Sequence, residues 1–461
     1  MTGQSATAET VEYTTFPDFG GRTAYSTDQA TQVAAGFDLK LGSQWNFGAS
    51  YTFNNNYAEL QSTGEPNVAQ LNLAVKCTVA GFCLNPFGSS APASNQAALQ
   101  RIMGFTNFAI WYKAHIVNAK VDGTLATIGG GDIKLAVGGQ YLRETLAARN
   151  FTNSGTRAPD LQTMVQTADF GTTRNIKSAY AEVIVPLVGS GNATGGIQSL
   201  ELNAAVRYDE YSDFGKTTNP KFGIKWEPVS GLTLRGSYGT SFRAPTLSDS
   251  DPRSTPSLSA SNTIAGTGKN VLTLLGGNSD VGPETASTWS FGLDFKPENL
   301  GGFNLSLNYF KIDYKNVIDT LGNNSAVFSD PALASFVTFS TASDFATKLN
   351  AIQAQITSGF YSAPAQFTLF TAAGAPNVFA IVDGRKRNVG RARMQGLDFT
   401  AQYQFNTGAY DWTVGINGTR VFRYDYQAVP GGPTVDRANN ANFPVKFKAR
   451  GQIGCGVGYY P

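Results

Sequence analysis

Long segments of this chain alternate between apolar and polar residues with a period of two. From Trp45 to Phe53 every odd position is apolar and every even position is small or polar. The segments 232–243 and 396–406 show the same alternation over comparable lengths. Alternation over about ten residues indicates a β-strand with one apolar and one polar face. The sequence therefore predicts an all-β fold.

About thirteen such segments are expected to form strands. Their approximate spans are 33–41, 45–56, 105–127, 132–145, 175–188, 198–211, 217–228, 231–243, 285–297, 302–318, 391–406, 409–425 and 444–460. Long connections span 57–104, 146–174, 244–284, 319–390 and 426–443, and the connections between them are short. Because neighbouring antiparallel strands reverse direction, the long loops fall at one end of the sheet, with 212–216 as a short exception. This asymmetry is typical of outer-membrane barrels.

The two strand faces differ in the way a membrane barrel requires. One face carries Asn, Gln, Ser, Thr, Asp and Arg, where a β-sandwich would bury Val and Leu. The other face carries Trp, Phe, Leu, Tyr and Ala and would face lipid. We predict a transmembrane antiparallel β-barrel with long extracellular loops and short periplasmic turns. An odd number of strands leaves two open edges, which are costly in hydrocarbon, so we expect the barrel in this chain to be incomplete.

Composition excludes several functions. Charged residues make up 15% of the 461 residues, against about 25% in a typical soluble domain. The net charge of +2 gives no reason to expect nucleic acid as a partner, and the single histidine, His115, excludes most His-based catalysis. No segment has the roughly 18 consecutive apolar residues of a membrane helix. Residues 1–10 lack the basic and apolar regions of a signal peptide. We expect no cofactor and no enzymatic activity.

Two stretches resemble the barrel of TonB-dependent outer-membrane receptors. Leu232–Leu247 ends in Phe-Arg-Ala-Pro-Thr-Leu, and Leu275–Phe295 contains Gly-Asn-Ser-Asp-Val-Gly-Pro-Glu followed by Gly-Leu-Asp-Phe. In the family a FRAP-T/S-L strand end leads into a loop, and GNPxLxPE precedes the next strand. Here Ser279 stands where Pro is usual and Gly282 where Lys is frequent. Further similarity covers, in family order, the stretches 178–183, 211–221, 309–316, 395–399 and 443–448.

The resemblance implies a barrel of about 22 strands, preceded by a signal peptide, a short segment that contacts TonB and a globular plug. Neither a plug nor a TonB-contacting segment is recognisable in residues 1–461, and the last residues resemble a strand from the middle of a barrel. We therefore expect residues 1–461 to be one partial barrel domain, with about 13 of about 22 strands. Met1 would be an internal or misassigned start. The family implies the outer membrane of a Gram-negative bacterium.

Three functions remain open at this point. The preferred hypothesis, implied by the resemblance, is an active transport receptor that binds a scarce nutrient and imports it with energy from the TonB-ExbB-ExbD complex, through the missing plug. The nutrient would be a siderophore-iron, cobalamin or oligosaccharide type of ligand, and this piece would not transport alone. The alternatives are a passive porin and a soluble secreted β-rich binding or carbohydrate-active protein. We expect a monomer in contact with outer-membrane lipid and lipopolysaccharide.

Cysteines and a helical pattern mark features of the predicted loops and strands. Cys77 and Cys83 lie close together in the loop 57–104, where an oxidising cell surface would allow a disulfide, against the alternative of two free thiols. Cys455 has the lipid-facing parity and is interpreted as a small apolar residue. His115 is interpreted as a polar wall residue without metal. Segment 344–357 has helical spacing inside the longest loop and is predicted to be a short helix.

Several basic residues are candidate contacts. We predict six on the lumen face, against a plug or an anionic substrate: Arg207, Arg235, Arg243, Lys446, Lys448 and Arg450. The alternative for Arg243 is a pair with a wall carboxylate. The densest basic cluster, 385–387, precedes Arg391 and Arg393, which share parity with the lipid-facing residues. These two arginines would bind lipopolysaccharide phosphates, or else form a solvated strand end.

Overall fold

The computed structural model describes residues 23–84, 93–154, 160–254, 257–261, 270–320, 325–329, 331–358, 360–361, 378–408 and 410–457. The strands are β1 (Thr23–Leu41), β2 (Trp45–Pro66), β3 (Met103–Ile128), β4 (Gly131–Thr152), β5 (Val165–Val188), β6 (Ser199–Tyr211), β7 (Gly215–Val229), β8 (Leu232–Arg243), β9 (Ser257–Ser261), β10 (Val271–Leu275), β11 (Glu284–Phe295), β12 (Phe303–Asp319), β13 (Val337–Phe339), β14 (Ala380–Asp383), β15 (Arg387–Thr407), β16 (Tyr410–Gln427), β17 (Thr434–Asp436) and β18 (Phe447–Val457). The helices are α1 (Val68–Lys76), α2 (Ala93–Gln100), α3 (Leu247–Ser250) and α4 (Phe345–Thr357), with 3-10 turns at Ser325–Phe328 and Pro331–Phe336.

One large sheet contains the long strands in chain order. Its fourteen strands run β1-β2-β3-β4-β5-β6-β7-β8-β11-β12-β15-β16-β17, with β18 also paired to β16, and every pairing is antiparallel. All of these strands except the three-residue β17 correspond to the segments predicted from the alternation. The predicted antiparallel all-β fold is confirmed. In the part of the chain that the structure describes, β1 pairs only with β2 and β18 only with β16, so this sheet is open.

The strands are longer than the alternation indicates at the end with the long loops. β1 begins at Thr23 rather than 33, β2 continues to Pro66, and β5 begins at Val165 rather than 175. The predicted loops 57–104 and 146–174 are correspondingly shortened. Where both faces of a strand meet water, the backbone ladder continues although the alternation of side chains stops.

The short turns at the opposite end depend on glycine. Gly42 has φ +70° in the β1–β2 turn, and Gly302 has φ +85° just before β12. A Cβ at Gly302 would collide with the backbone carbonyl of Gln404. Such φ values are left-handed and favour glycine over any other residue.

The apolar strand face is exposed along the whole sheet. Its large exposed side chains include Val33, Phe37, Tyr51, Val117, Val137, Tyr141, Val206, Phe222, Trp289, Phe291, Ile416 and Ile453. Contiguous apolar surface of this extent marks contact with a partner or a membrane. The opposite face carries hydrogen-bonded polar side chains instead of a dry core, which contradicts the soluble alternative.

The long loops form a layer of their own at one end of the sheet. A second sheet has the order β13-β14-β10-β9, and its central pair, β10 and β14, is parallel. Helix α4 packs on it through Phe345 and Ile352, which contact a cluster with Leu272 and Ile381. The predicted helix at 344–357 is confirmed within one residue. A smaller cluster of Ala74, Phe82, Leu99 and their neighbours holds α1 and α2 together. None of the helices in the described ranges is long and apolar enough to cross a membrane.

Candidate functional site

Charged residues on the polar face are held by partners on neighbouring strands. Arg207 donates its Nε–H to Asp209 at 2.9 Å and reaches Gln140 on β4 at 3.1 Å. Asp209 is buried and also accepts a hydrogen bond from the Ser178 hydroxyl at 2.6 Å. The predicted lumen parity of Arg207 therefore agrees with the structure, and its guanidinium is engaged by wall residues.

Arg235 has the same kind of environment farther along the sheet. Its Nε lies 2.8 Å from the Asp294 carboxylate across the β8–β11 pair. The same carboxylate accepts a hydrogen bond from Ser306 on β12 at 2.7 Å. Three neighbouring strands are joined by one carboxylate on the polar face.

Arg243 ends strand β8 and pairs with the most deeply buried carboxylate among the ion pairs of this face. Its guanidinium binds both carboxylate oxygens of Glu284, with Nη2 at 2.6 Å from Oε1. Glu284 is only 1% exposed and also accepts hydrogen bonds from the Tyr314 hydroxyl and the Ile318 amide. This geometry agrees with the alternative stated for Arg243, an ion pair with a carboxylate of the wall. The pair joins β8, β11 and β12 where the strands meet the loops.

Lys448 and Arg450 differ from these arginines because the structure gives them no ion-pair partner in the residues it describes. They lie on β18 and line a polar cavity together with Asn417, Thr419 and Asp398. Asp398 accepts a hydrogen bond from Thr419 at 2.6 Å. Lys446, the other predicted cation of this strand region, pairs with Asp436 at 3.1 Å. Lys448 and Arg450 are therefore available on the polar face.

The residues of the dense basic cluster at 385–387 are paired with two carboxylates within the loop layer. Asp383 at the end of β14 accepts two hydrogen bonds from Arg385, at 2.9 and 2.8 Å, and a further one from Arg387. Burial raises the pKa of Asp383, but the hydrogen bonds and charges of the two arginines outweigh burial and lower it to about 2. Lys386 lies 3.7 Å from Asp249.

Arg391 and Arg393 lie on the apolar-face side of β15, beyond its apolar residues. Register pairs them with Lys315 and Asp313 on β12. Arg391 binds Asp313 with both nitrogens, at 2.8 and 2.6 Å, whereas Arg393 lies 3.7 Å from the same carboxylate. Arg391 therefore has its charge largely matched, and Arg393 is the freer of the two.

The cysteines of the first long loop are bonded to each other in the structure. Cys77 and Cys83 form a disulfide across six residues of sequence, directly after α1. Phe82, between them, is buried in the cluster that holds α1 and α2. Cys455 is exposed on β18 in the same parity as Ile453 and Val457. The bond anchors the loop that follows α1 to its small core.

His115 lies on the apolar face rather than in the polar wall, as its parity with Val117 shows, and its Nδ1 is 2.9 Å from the Tyr51 hydroxyl. Its ring also packs against Phe53, with ring centroids 5.0 Å apart. Within the described ranges there is no group of three or more His, Cys, Asp or Glu side chains that could hold a metal ion.

Arg174 is an element of the wall that the sequence reading missed. Its side chain is only 3% exposed and pairs with Asp213 at 2.5 Å and Glu144 at 3.3 Å. The guanidinium also lies over the rings of Tyr211 and Phe214. These contacts fix the short 212–214 link at the long-loop end. Arg174 shares the parity of Ser178 and so lies on the polar face. The sequence would have indicated this position if the predicted strand had begun before residue 175.

Comparison with known proteins agrees with this architecture. A family model described as "TonB dependent receptor-like, beta-barrel" matches residues 2–456. Among solved structures, the outer membrane transporter YddB from Escherichia coli matches with a TM-score of 0.54 at 9% identity, covering 94% of this chain and 49% of that one. The RagAB peptide importer in its closed-closed state matches with a TM-score of 0.51 at 12% identity, covering 91% of this chain and 40% of that one.

The chain thus spans less than half the length of these two structures, and at such identities the likeness concerns the fold alone. The family match covers nearly the entire sequence. Receptors of this kind are outer-membrane transporters of Gram-negative bacteria and are not enzymes. This chain belongs to the TonB-dependent receptor β-barrel family.

Proposed function

We propose that this chain forms wall and loops of an active import receptor. The receptor would bind a scarce nutrient at the loop layer and pass it through the lumen when the TonB-ExbB-ExbD complex acts on a plug. The observation that carries the proposal is the family match over residues 2–456 on a sheet whose long loops all lie at one end. The receptor would act as a monomer.

The charged residues of the polar face are suited to line a lumen that contains a plug or a passing nutrient. Arg207, Arg235 and Arg243 are anchored by carboxylates and keep the wall polar and rigid. Lys448 and Arg450 retain unmatched charge within the described part of this face, which suits contact with a plug or an anionic substrate. The charge of Lys446 is already paired with Asp436, so Lys446 would contribute to such a contact only as part of that ion pair.

The nutrient class is open among siderophore-iron, cobalamin and oligosaccharide types. A peptide joins these candidates because one fold relative is a peptide importer. Arg391 and Arg393, on the apolar-face side of β15, are proposed to meet lipopolysaccharide. No nucleic acid is expected as a partner.

The passive porin remains the second candidate, and energy dependence separates the two. Cells that carry the full-length protein would be tested for uptake of labelled ferric siderophore, cobalamin, maltooligosaccharide and oligopeptide. The receptor is expected to import one of these, and uptake should stop when TonB is deleted or the proton gradient is collapsed. Uptake that survives both treatments would indicate a passive channel. The matched control is the same strain with the receptor gene deleted.

A further inference from the structure

Three cations on the apolar-face side of consecutive strands have no ion-pair partner in the part of the chain that the structure describes. They are Lys113 on β3, Arg143 on β4 and Lys177 on β5, and each side chain is exposed. The facing residues are fixed by register, because His115 pairs with Arg143, and Tyr141 pairs with Lys177. Tyr141 and Val117 are exposed apolar-face residues, so the three cations point away from the lumen.

The cations form a diagonal line across the three strands. Lys113 lies opposite Thr145, two residues from Arg143, and Lys177 lies two residues from Asn175, the partner of Arg143. Diagonal neighbours of this kind are about 7–8 Å apart. The line therefore presents three positive charges within the reach of one headgroup.

No carboxylate in the described residues forms an ion pair with these three side chains. Glu210 is opposite Lys177 on β6 but lies beyond ion-pair distance, and it faces Lys216 on its other side. Arg391 differs from these three cations, because Asp313 binds its guanidinium with both carboxylate oxygens. Among the residues that the structure describes, the charge on β3–β5 therefore has no ion-pair partner.

The surroundings of the line are amphipathic. On the short-turn side of Lys113 and Arg143, Tyr51, Val117, Val137 and Tyr141 are exposed apolar or aromatic side chains, and Lys177 lies level with Tyr141. At the level of the cations there are further hydrogen-bonding groups, including Thr145 and Thr173, whose hydroxyls are 3.2 Å apart. A partner must therefore present acyl chains on one side and anionic oxygens on the other.

We propose that this surface, in which Lys113 and Arg143 lie above Tyr51, Val117 and Tyr141 and Lys177 lies beside Tyr141, is a binding site for a phosphorylated glycolipid of the outer leaflet, the lipid A region of lipopolysaccharide. Its phosphates lie where sugar meets acyl chain, which matches the boundary between cations and apolar residues on this face. Guanidinium and ammonium groups form strong charge-assisted hydrogen bonds to phosphate. The site rests on the outer-membrane placement and is independent of any nutrient.

The test measures lipopolysaccharide bound to the purified full-length receptor. Wild type, the charge-removing variant K113Q/R143Q/K177Q and the lumen-face control K40Q/K134Q/K221Q would be delipidated in mild detergent and titrated with purified lipopolysaccharide. Bound glycolipid would be counted by native mass spectrometry. Each basic residue near an anionic lipid surface contributes a severalfold effect, so the charge-removing variant should bind on the order of a hundredfold more weakly. The control should bind like wild type.

A charge-retaining variant, K113R/R143K/K177R, guards against misfolding and is expected to bind within a few-fold of wild type. Equal binding by wild type and the charge-removing variant, or equal loss in the lumen control or the charge-retaining variant, would overturn the proposal. Vesicles of phosphatidylglycerol form the second arm. If they bind as tightly and with the same dependence on the three cations, the assignment to glycolipid is wrong. Because no nutrient or TonB is present, failure here is distinct from failure of the import proposal.

Discussion

Glu284 and Arg243 face each other across the β8–β11 pair and form a bidentate ion pair in which the carboxylate is almost completely buried. Tyr314 and the amide of Ile318 supply the remaining hydrogen bonds to the carboxylate. The pair thus ties three strands together where the sheet meets the loop layer. Its arginine was a candidate substrate contact, and its geometry favours a role in the wall.

Replacing Arg243 by Met should destabilise the protein without abolishing import. The buried Glu284 would lose its counter-charge but keep two hydrogen bonds, and the guanidinium is half-exposed, so we expect a loss of about 1–2 kcal/mol in the free energy of unfolding. Denaturant titration of the full-length protein in lipid vesicles measures this change. The double variant R243M/E284Q should recover part of the loss. An unchanged unfolding free energy together with abolished uptake would instead make Arg243 a substrate contact.

The disulfide predicts a specific pattern of thiol labelling. Of the three cysteines in the sequence, only Cys455 should react with iodoacetamide in the unreduced, denatured protein, and all three should react after reduction. Closing a loop of this size stabilises the fold by about 2 kcal/mol in the chain-entropy model. Reduction should therefore increase proteolysis within 77–83 on the cell surface. A C455S variant should show no labelling before reduction; three reactive thiols in the unreduced protein would refute the bond.

The period-two alternation predicts most of the sheet because it reflects the membrane itself. In β2 and β15 the apolar residues that face outward are the ones the parity selects. The strand ends at Thr23 and Val165 could not be predicted, because water meets both faces there and the alternation disappears. The parallel pair β10–β14 joins residues more than a hundred positions apart, and no local pattern encodes it.

The candidate site was predictable in parity but not in partners. Arg207 and Arg235 were placed on the polar face correctly, since parity needs only the strand. Their ion-pair partners depend on the register between strands, and on carboxylates two residues away on the same strand that can bind the same cation. Asp209 lies two residues from Arg207 on the same strand and shares its parity, whereas the pairing of Asp294 with Arg235 across β8–β11 became visible only in the structure. The same holds for Asp313, which matches the charge of Arg391 from another strand.

Acid should loosen the loop layer through Asp383. The folded carboxyl has a pKa of about 2, below its ordinary value of 3.8, because the hydrogen bonds and charges of Arg385 and Arg387 outweigh burial. Because the pKa of Asp383 is lower in the folded protein than in the unfolded chain, ionised Asp383 stabilises the fold fully at pH values above its unfolded-state pKa. This stabilisation is lost as pH falls from about 4 towards 2. At neutral pH it amounts to about 2 kcal/mol. Protection factors at the β14 amides, which correct for the intrinsic pH dependence of hydrogen exchange, should fall over this window in wild type. In D383N the protection factors should be low at every pH, and an identical pH profile of the protection factors in both proteins would exclude this role.

Lys448 and Arg450 should affect function more than stability, the reverse of Arg235. Because the described residues offer them no ion-pair partner, the K448Q/R450Q variant should unfold within about 0.5 kcal/mol of wild type. Its initial rate of uptake, for whichever nutrient the wild-type receptor imports, should fall severalfold. The matched variant R235M removes a cation that Asp294 binds at 2.8 Å, so it should lower the unfolding free energy by about 1 kcal/mol and leave uptake nearly unchanged. Unfolding titrations and uptake rates on the three proteins decide the matter. If K448Q/R450Q imports at the wild-type rate, these two residues are only solvated wall residues, and the contact with plug or substrate lies elsewhere.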